Sequence, residues 1–317
     1  MKKTAQENPQ IETIGADEFP KQNKKIFSLL NDFVFKCVFG QEKHEQIAIC
    51  LLNALLKKSG IDKIVSLEFL NPFNLKEATE QKASAVDVKV RDGKSRTYII
   101  EVQVCKDKFF VARTVYYLAK LYSGQLQEGE DYSKLKPSTI ISILDFDLFE
   151  ESEEMHNIFE FRDQKGMLCL SDIMALHYIE LTKFSRNKPR HLKTPFEKWL
   201  DVLKFSEKYI TMETLPDYLA DEEGVPMAVA SLKKINADRE MRQILEAREK
   251  EARYVSMLKT IANEEGQTTG ERRKQAEIAL KLFKKGLPVD LILETTGLSE
   301  EELNELVKSS TQAYSSR

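Results

Sequence analysis

Ala85-Val86-Asp87-Val88-Lys89-Val90 and Thr97-Tyr98-Ile99-Ile100-Glu101-Val102-Gln103-Val104 decide the fold. Each is a short apolar run that carries acid where a buried strand normally has none. Between them lies Arg91-Asp92-Gly93-Lys94, whose Asp-Gly pair is a turn signal for a β-hairpin. Side chains alternate across a strand, so Asp87 and Lys89 share one face, opposite Val86, Val88 and Val90. Glu101 and Gln103 likewise project together, opposite Ile100, Val102 and Val104. A normally paired hairpin therefore brings two carboxylates onto one face of an otherwise apolar sheet. Such a pair repels and raises both pKa values unless a cation lies between them. Oxygen-rich sites of this kind suit Mg²⁺ or Mn²⁺, ions that commonly serve phosphoryl chemistry. Asp87 alone reads as an ordinary solvent-facing strand residue. Glu101 lies in a run apolar enough for a central strand, where a lone charge is costly.

Outward from the hairpin, a helix is expected through Phe33–Phe39 with Gly40 as its stop, and a second from about His44 to Lys58, ended by Gly60. Ile64–Leu70 reads as a strand. A helix over about Phe109–Gln127 is expected to bury Val111, Val115, Leu118, Leu121 and Tyr122. Thr139–Asp145 reads as a buried parallel strand, Ile158–Arg162 and Leu176–Leu181 as two further strands, and Pro195–Lys204 as a helix with Trp199 inside. A crossover helix between paired strands implies a mixed sheet, so the class is α/β.

Three further features resemble a known family: the segment Asn31-Asp32-Phe33-Val34-Phe35-Lys36-Cys37-Val38-Phe39-Gly40, the Asp87 strand, and the Glu101-x-Gln103 strand. Together they resemble the PD-(D/E)XK nuclease superfamily and, within it, the Rpn group of recombination-promoting, transposase-like nucleases. Lys82, Arg113 with Tyr116-Tyr117, Gln125 with Gly129 and Tyr132, and Trp199 follow in the order of that resemblance, which spans roughly residues 29 to 205. It departs at Gln103, where most of the superfamily carries Lys. The resemblance implies a restriction-endonuclease-like mixed sheet flanked by helices and a DNA endonuclease that needs Mg²⁺ or Mn²⁺. It implies metal ligation by Asp87, Glu101 and the Val102 backbone carbonyl, with Gln103 as the third catalytic residue. A Gln amide cannot neutralise charge, but it can orient a water or a phosphate oxygen.

Lys82 and Lys89 are candidates for phosphate contact, although most such lysines are simply solvated. Arg113 either clamps a phosphate or pairs with an acid such as Asp107. Asp32 either caps the first helix or reaches the metal as an extra acid. Tyr116 and Tyr117 read as packing residues.

The chain of 317 residues, 42% hydrophobic and 31% charged, has the length for one large domain or two. A polar leader is expected over 1–24, a nuclease-like domain over 25–205, and a helical C-terminal region over 206–317. In that region a long helix at about 228–265 is interrupted by Gly266–Gly270 and followed by a helical hairpin. Ser299 with Glu302 forms a capping-box pattern, and Gly286 and Gly297 fit helix stops. The tail resembles the helical hairpin at the C-terminus of Rpn-like proteins, and superficially a helix-turn-helix. Glu300, Glu301, Glu302 and Glu305 would repel phosphate, so it reads as an interaction or homo-oligomerisation element.

A net charge of −3 would not by itself suggest a DNA-binding protein. Cys37, Cys50, Cys105 and Cys169 lack CxxC spacing and read as reduced thiols in the cytoplasm. No signal peptide or membrane span is expected. There is no GxGxxG, P-loop, HExxH or nucleophile elbow, and His44, His156, His177 and His191 lack ligand spacing. Two other functions fit the same residues: a catalytically degenerate nuclease fold acting as a binding or assembly module, and an RNA nuclease.

Overall fold

The computed structural model describes residues 25–57, 61–72, 87–186 and 192–315. The expected leader, Lys82, Ala85–Val86 and Gly60 lie outside the described residues. Helix α1, Asp32–Phe39, is capped by Asn31, whose side chain accepts from the Val34 amide at 3.1 Å. Asp32 is therefore the first helical residue and not the cap. Phe33 to Phe39 are all buried, Lys36 among them. Helix α2, Glu45–Leu56, buries Ile47, Cys50, Leu51, Ala54 and Leu55 at the expected helical spacing.

Strand β1 is Leu67–Phe69, β2 is Val88–Asp92 and β3 is Thr97–Gln103. The β2–β3 turn is organised by Asp92, whose Oδ1 accepts from the amides of Lys94 and Arg96, both at 2.9 Å. The left-handed residue of this turn is Ser95 (φ 64°), not Gly93. What Gly93 supplies is room: a Cβ there would stand 3.0 Å from Ser66 Oγ.

Helix α3, Phe110–Ser123, then crosses over to β4, Ser138–Leu144, which is buried throughout and lies parallel to β3. The buried stripe of α3 is Phe110, Thr114 and Leu118, with Tyr117 and Leu121 packed alongside. Val111, Val115 and Tyr116 are exposed, so the expected stripe was rotated. A hydroxyl decided it: Thr114 bonds Tyr178 inside, at 2.5 Å.

Strands β5, His156–Arg162, and β6, Cys169–Glu180, complete a six-stranded sheet of order β1-β2-β3-β4-β6-β5. The β3–β4 and β4–β6 pairs are parallel and the others antiparallel. Helices, three strands, helix, strand is the expected core order, and the architecture is the expected α/β mixed sheet flanked by helices.

Helix α4, Leu181–Arg186, follows β6 directly. Glu180 and Lys183, with side chains 0% and 2% exposed, pair at 2.7 Å across this junction. Helix α5, Pro195–Thr211, starts with a Thr194/Glu197 capping box and buries Trp199 fully. After α6, Asp217–Ala220, helix α7, Val225–Ala237, packs on α1, α2 and α5. The Asn236 side chain accepts from the Phe27 amide at 2.8 Å and donates to its carbonyl at 2.9 Å.

Residues 206–242 thus belong with the sheet. The expected boundary near 205 falls inside α5, and the chain divides instead into Met1–Arg242 and Gln243–Arg317. The expected interruption is also displaced. Helix α8, Arg239–Lys284, runs through Gly266–Gly270, and the break comes at Asp238, which is extended and whose Oδ1 caps the Met241 amide at 2.9 Å. A glycine inside a helix costs only about 1 kcal/mol, too little to stop a helix of this length. Helices α9, Val289–Thr296, and α10, Glu300–Ser315, give the second unit a small core of Ala279, Ile292 and Leu303. The Ser299/Glu302 capping box forms in both directions, at 2.8 and 3.2 Å, and Gly286 and Gly297 are left-handed. Among the described residues no helix is long and apolar enough to cross a membrane.

Candidate functional site

The antiparallel register pairs Val88 with Ile100, so one step further Asp87 stands level with Glu101. Strand parity puts Asp87, Glu101 and Gln103 on the face that α3 covers, and both acids are nearly buried, at 8% and 7% exposure. Asp87 Oδ2 accepts the Val102 amide at 2.8 Å, a bond from the neighbouring strand that fixes the carboxylate's direction. Its Oδ1 lies 3.2 Å from Lys36 Nζ, which reaches in from α1.

Glu101 is held from the other side. Arg113 Nη2 stands 3.1 Å from Glu101 Oε1 and 3.3 Å from Gln103 Oε1, while Nη1 lies 3.4 Å from Asp107. The guanidinium also sits 5.1 Å from the Phe110 ring centre. Of the two sequence readings of Arg113, pairing with Asp107 is present, and pairing with Glu101 is closer. The Gln103 amide nitrogen donates to the Cys105 carbonyl at 3.0 Å, which orients its oxygen toward Arg113.

Burial raises the pKa of both carboxyls. For Asp87, the charge and hydrogen bond of Lys36 and the Val102 amide pull the other way, and Asp32 adds to the rise. For Glu101, Arg113 opposes the rise and the charge of Asp87 reinforces it. Asp32 is exposed, one helical turn before Lys36, and close enough for its charge to act on Asp87.

Across the sheet, Glu101 neighbours Ser142 on β4, and Ser142 neighbours Tyr178 on β6. The Ser142 hydroxyl is fully buried with no hydrogen-bond partner, beside a carboxylate. Buried orphan hydroxyls of this kind mark a place for a water or another oxygen ligand. The donors that meet here are two carboxylates and an amide oxygen, chemistry that fits a hard divalent cation with part of its water shell retained. Among the described residues no group of three or more His, Cys, Asp or Glu side chains could hold a metal ion.

Lys36 is the site residue that sequence reasoning missed. The signal was there: α1 is apolar on every side, and a lysine inside such a helix needs a partner. The histidine pair was also missed. His156 Nε2 lies 3.1 Å from His177 Nδ1 on paired strands, and burial together with the charge of His156 lowers the His177 pKa to about 3.

A cleft of about 530 Å³ is lined by Asn31, Val104, Asp145, Lys204 and Lys208, and neither acid is part of its lining. A second cleft, of about 520 Å³ and lined by Gln46, Cys50, Asn53 and Glu222, contains none of the site residues.

No curated protein and no solved structure matches the chain. Two family models do. The Rpn/YhgA-like nuclease family C-terminal HTH domain matches residues 272–308, a helix-turn-helix description where the tail's acidity argued for an interaction element. The other, matching residues 29–260, takes in the whole sheet, α1 with Lys36, and both acids, and on that match over more than half its length the chain belongs to the PD-(D/E)XK nuclease family transposases.

Proposed function

We propose that this Rpn-type nuclease is a metal-dependent DNA endonuclease that hydrolyses phosphodiester bonds. The observation that supports it best is the pair of buried carboxylates, Asp87 and Glu101, delivered by adjacent strands to one place. In this reading Asp87, Glu101 and the Val102 carbonyl hold Mg²⁺ or Mn²⁺. Such an ion, when bound, polarises the scissile phosphate and lowers the pKa of a bound water.

The remaining roles belong to the chain itself. Gln103, held by Cys105 and Arg113, offers its amide to a water or a phosphate oxygen. Arg113 is one-third exposed and can turn part of its planar fork to a phosphate without leaving Glu101. Lys82 is a further substrate contact, and Asp32 an extra acid at the rim. DNA would run past the cleft at Asn31, Val104 and Lys208. The setting would be the cytoplasm, with a role in recombination or mobile-element biology, and the C-terminal region would assemble copies of the chain.

A second reading has one observation in its favour. Lys36 and Arg113 already satisfy both acids, as they would in a degenerate fold kept as a binding or assembly module. The test is cleavage of supercoiled plasmid in Mg²⁺ or Mn²⁺ by wild type, Asp87→Asn and Glu101→Gln. Metal-dependent nicking that both substitutions abolish, with circular dichroism unchanged, is the expected result. Wild type no more active than the variants under every divalent ion would leave the module reading standing.

A further inference from the structure

Hydrolysis of a phosphodiester builds negative charge on the phosphate oxygens, and the chain must meet that charge with groups already in place. Gln103 is neutral. Arg113 is tied to Glu101, Gln103 and Asp107 and lies over Phe110, so its guanidinium is anchored on the Glu101 side. The Asp87 side has a different cation. Lys36 comes from α1, not from the strand that bears Glu101 and Gln103, and its side chain is 9% exposed. Its ammonium lies 3.2 Å from Asp87 Oδ1, and its charge acts on Glu101 as well as Asp87. An ammonium has three protons to give, so contact with Asp87 leaves donors for a second acceptor.

A buried lysine is expensive unless its charge is used. As a counterion alone, Lys36 would add little that an apolar pair could not. We propose that Lys36 is a catalytic residue, its ammonium contacting the phosphate oxygen on which charge accumulates and supplying the positive charge that Gln103 lacks. The inference rests on the nuclease reading above. In the step it serves, the water oxygen bonds to phosphorus. The bond from phosphorus to the leaving sugar oxygen breaks with its electron pair going to that oxygen. The water's proton passes to solvent, and the leaving oxygen takes one from solvent. Lys36 transfers no proton in this step.

The experiment compares wild type, Lys36→Met, Lys36→Arg and Lys36→Cys treated with 2-bromoethylamine, which rebuilds a lysine-like ammonium. Wild type treated in the same way controls for modification of the other cysteines. Single-turnover cleavage of one DNA duplex in Mg²⁺ is measured beside DNA affinity in Ca²⁺, Mn²⁺ binding by calorimetry, and circular dichroism. Lys36→Met should cleave about 100-fold more slowly, the order found when one charge-stabilising donor is removed. DNA affinity should stay within about threefold, and Mn²⁺ should bind as well or more tightly, because a competing cation has left Asp87. Aminoethylation of Lys36→Cys should restore at least about tenfold of the rate.

Cleavage by Lys36→Met within threefold of wild type would overturn the proposal. So would a fall in Mn²⁺ affinity matching the fall in rate, since Lys36 would then merely position Asp87. Should Lys36→Met not fold, Lys36→Arg decides, because it keeps the ion pair but moves the charge. Cleavage at the wild-type rate would mark Lys36 as a simple counterion. A wild type inert with every divalent ion would overturn the nuclease reading and this proposal with it. Active variants beside an active wild type would overturn this proposal alone.

Discussion

Replacing Lys183 with Met should destabilise the sheet-bearing unit by about 3 kcal/mol, the low end of the 3–5 kcal/mol typical when one partner of a buried ion pair is removed. Without the ammonium, Glu180 keeps three neutral donors: the Leu148 amide at 2.7 Å, the Phe149 amide at 3.2 Å and Asn157 Nδ2 at 3.1 Å. These offset part of the lost charge, which sets the estimate at the low end. The substitution also removes the 2.8 Å bond from Lys183 Nζ to the Phe149 carbonyl, so the loop after β4 loses one of its anchors. That loop begins at Asp145, whose amide bonds the Gln103 carbonyl at 3.0 Å, and so connects this pair to the candidate site. Urea unfolding followed by fluorescence suits the measurement, because Trp199 is the single tryptophan and is fully buried. The double variant Glu180→Gln, Lys183→Met should recover most of the loss, since no unpaired charge remains. A single-variant loss below about 1 kcal/mol, or a double variant as unstable as the single, would refute the reasoning.

Gly224→Ala should cost about 2–4 kcal/mol, because its φ of +83° is strained for alanine and a Cβ would stand 2.6 Å from Cys50 Cβ. An unfolding midpoint within error of wild type would contradict the packing of α7 on α2. Metal-free protein should also show an inverted pH trend at the acids. Both carboxyls have raised pKa values in the folded state, so they favour folding most below the ordinary carboxylate range, near pH 4, and this stability is lost as pH rises through the folded values. Thermal melts in EDTA, compared with the Asp87→Asn, Glu101→Gln double variant, should show wild type losing ground as pH rises above the ordinary carboxylate range. A difference between the two that does not change with pH would count against burial as the cause.

Much of the architecture was legible because local patterns and tertiary needs agreed. The Asp-Gly turn, the apolar β4 run and the capping box at Ser299 each name their own structure from short-range chemistry. Errors arose where that agreement failed. Asn31 outbid Asp32 for the cap position, and Thr114 displaced two valines from the α3 interior because its hydroxyl had a buried partner 64 residues away. Gly266–Gly270 looked like a break, although isolated glycines only weaken a long helix. At the site, Asp87 and Glu101 could be placed together from the hairpin register alone. Lys36 could not be assigned to Asp87, because that contact depends on how α1 lies against the sheet, which no spacing within α1 records. The histidine pair was illegible for the same reason, since strand pairing and not sequence spacing brings it together.

The clasp between Asn236 and Phe27 sets an order of assembly. It joins positions 209 residues apart, and Ser206 holds the Leu29 amide at 3.0 Å across 177 residues. The segment leading into α1 leaves the ribosome long before Ser206 and Asn236, the groups that fasten it. A nascent chain therefore displays both acids well before the helix bearing Lys36 can be locked beside them. If the proposed chemistry holds, a partly synthesised copy lacks a finished site, and a truncated product ending before α7 would carry the hairpin without the clasp that completes it.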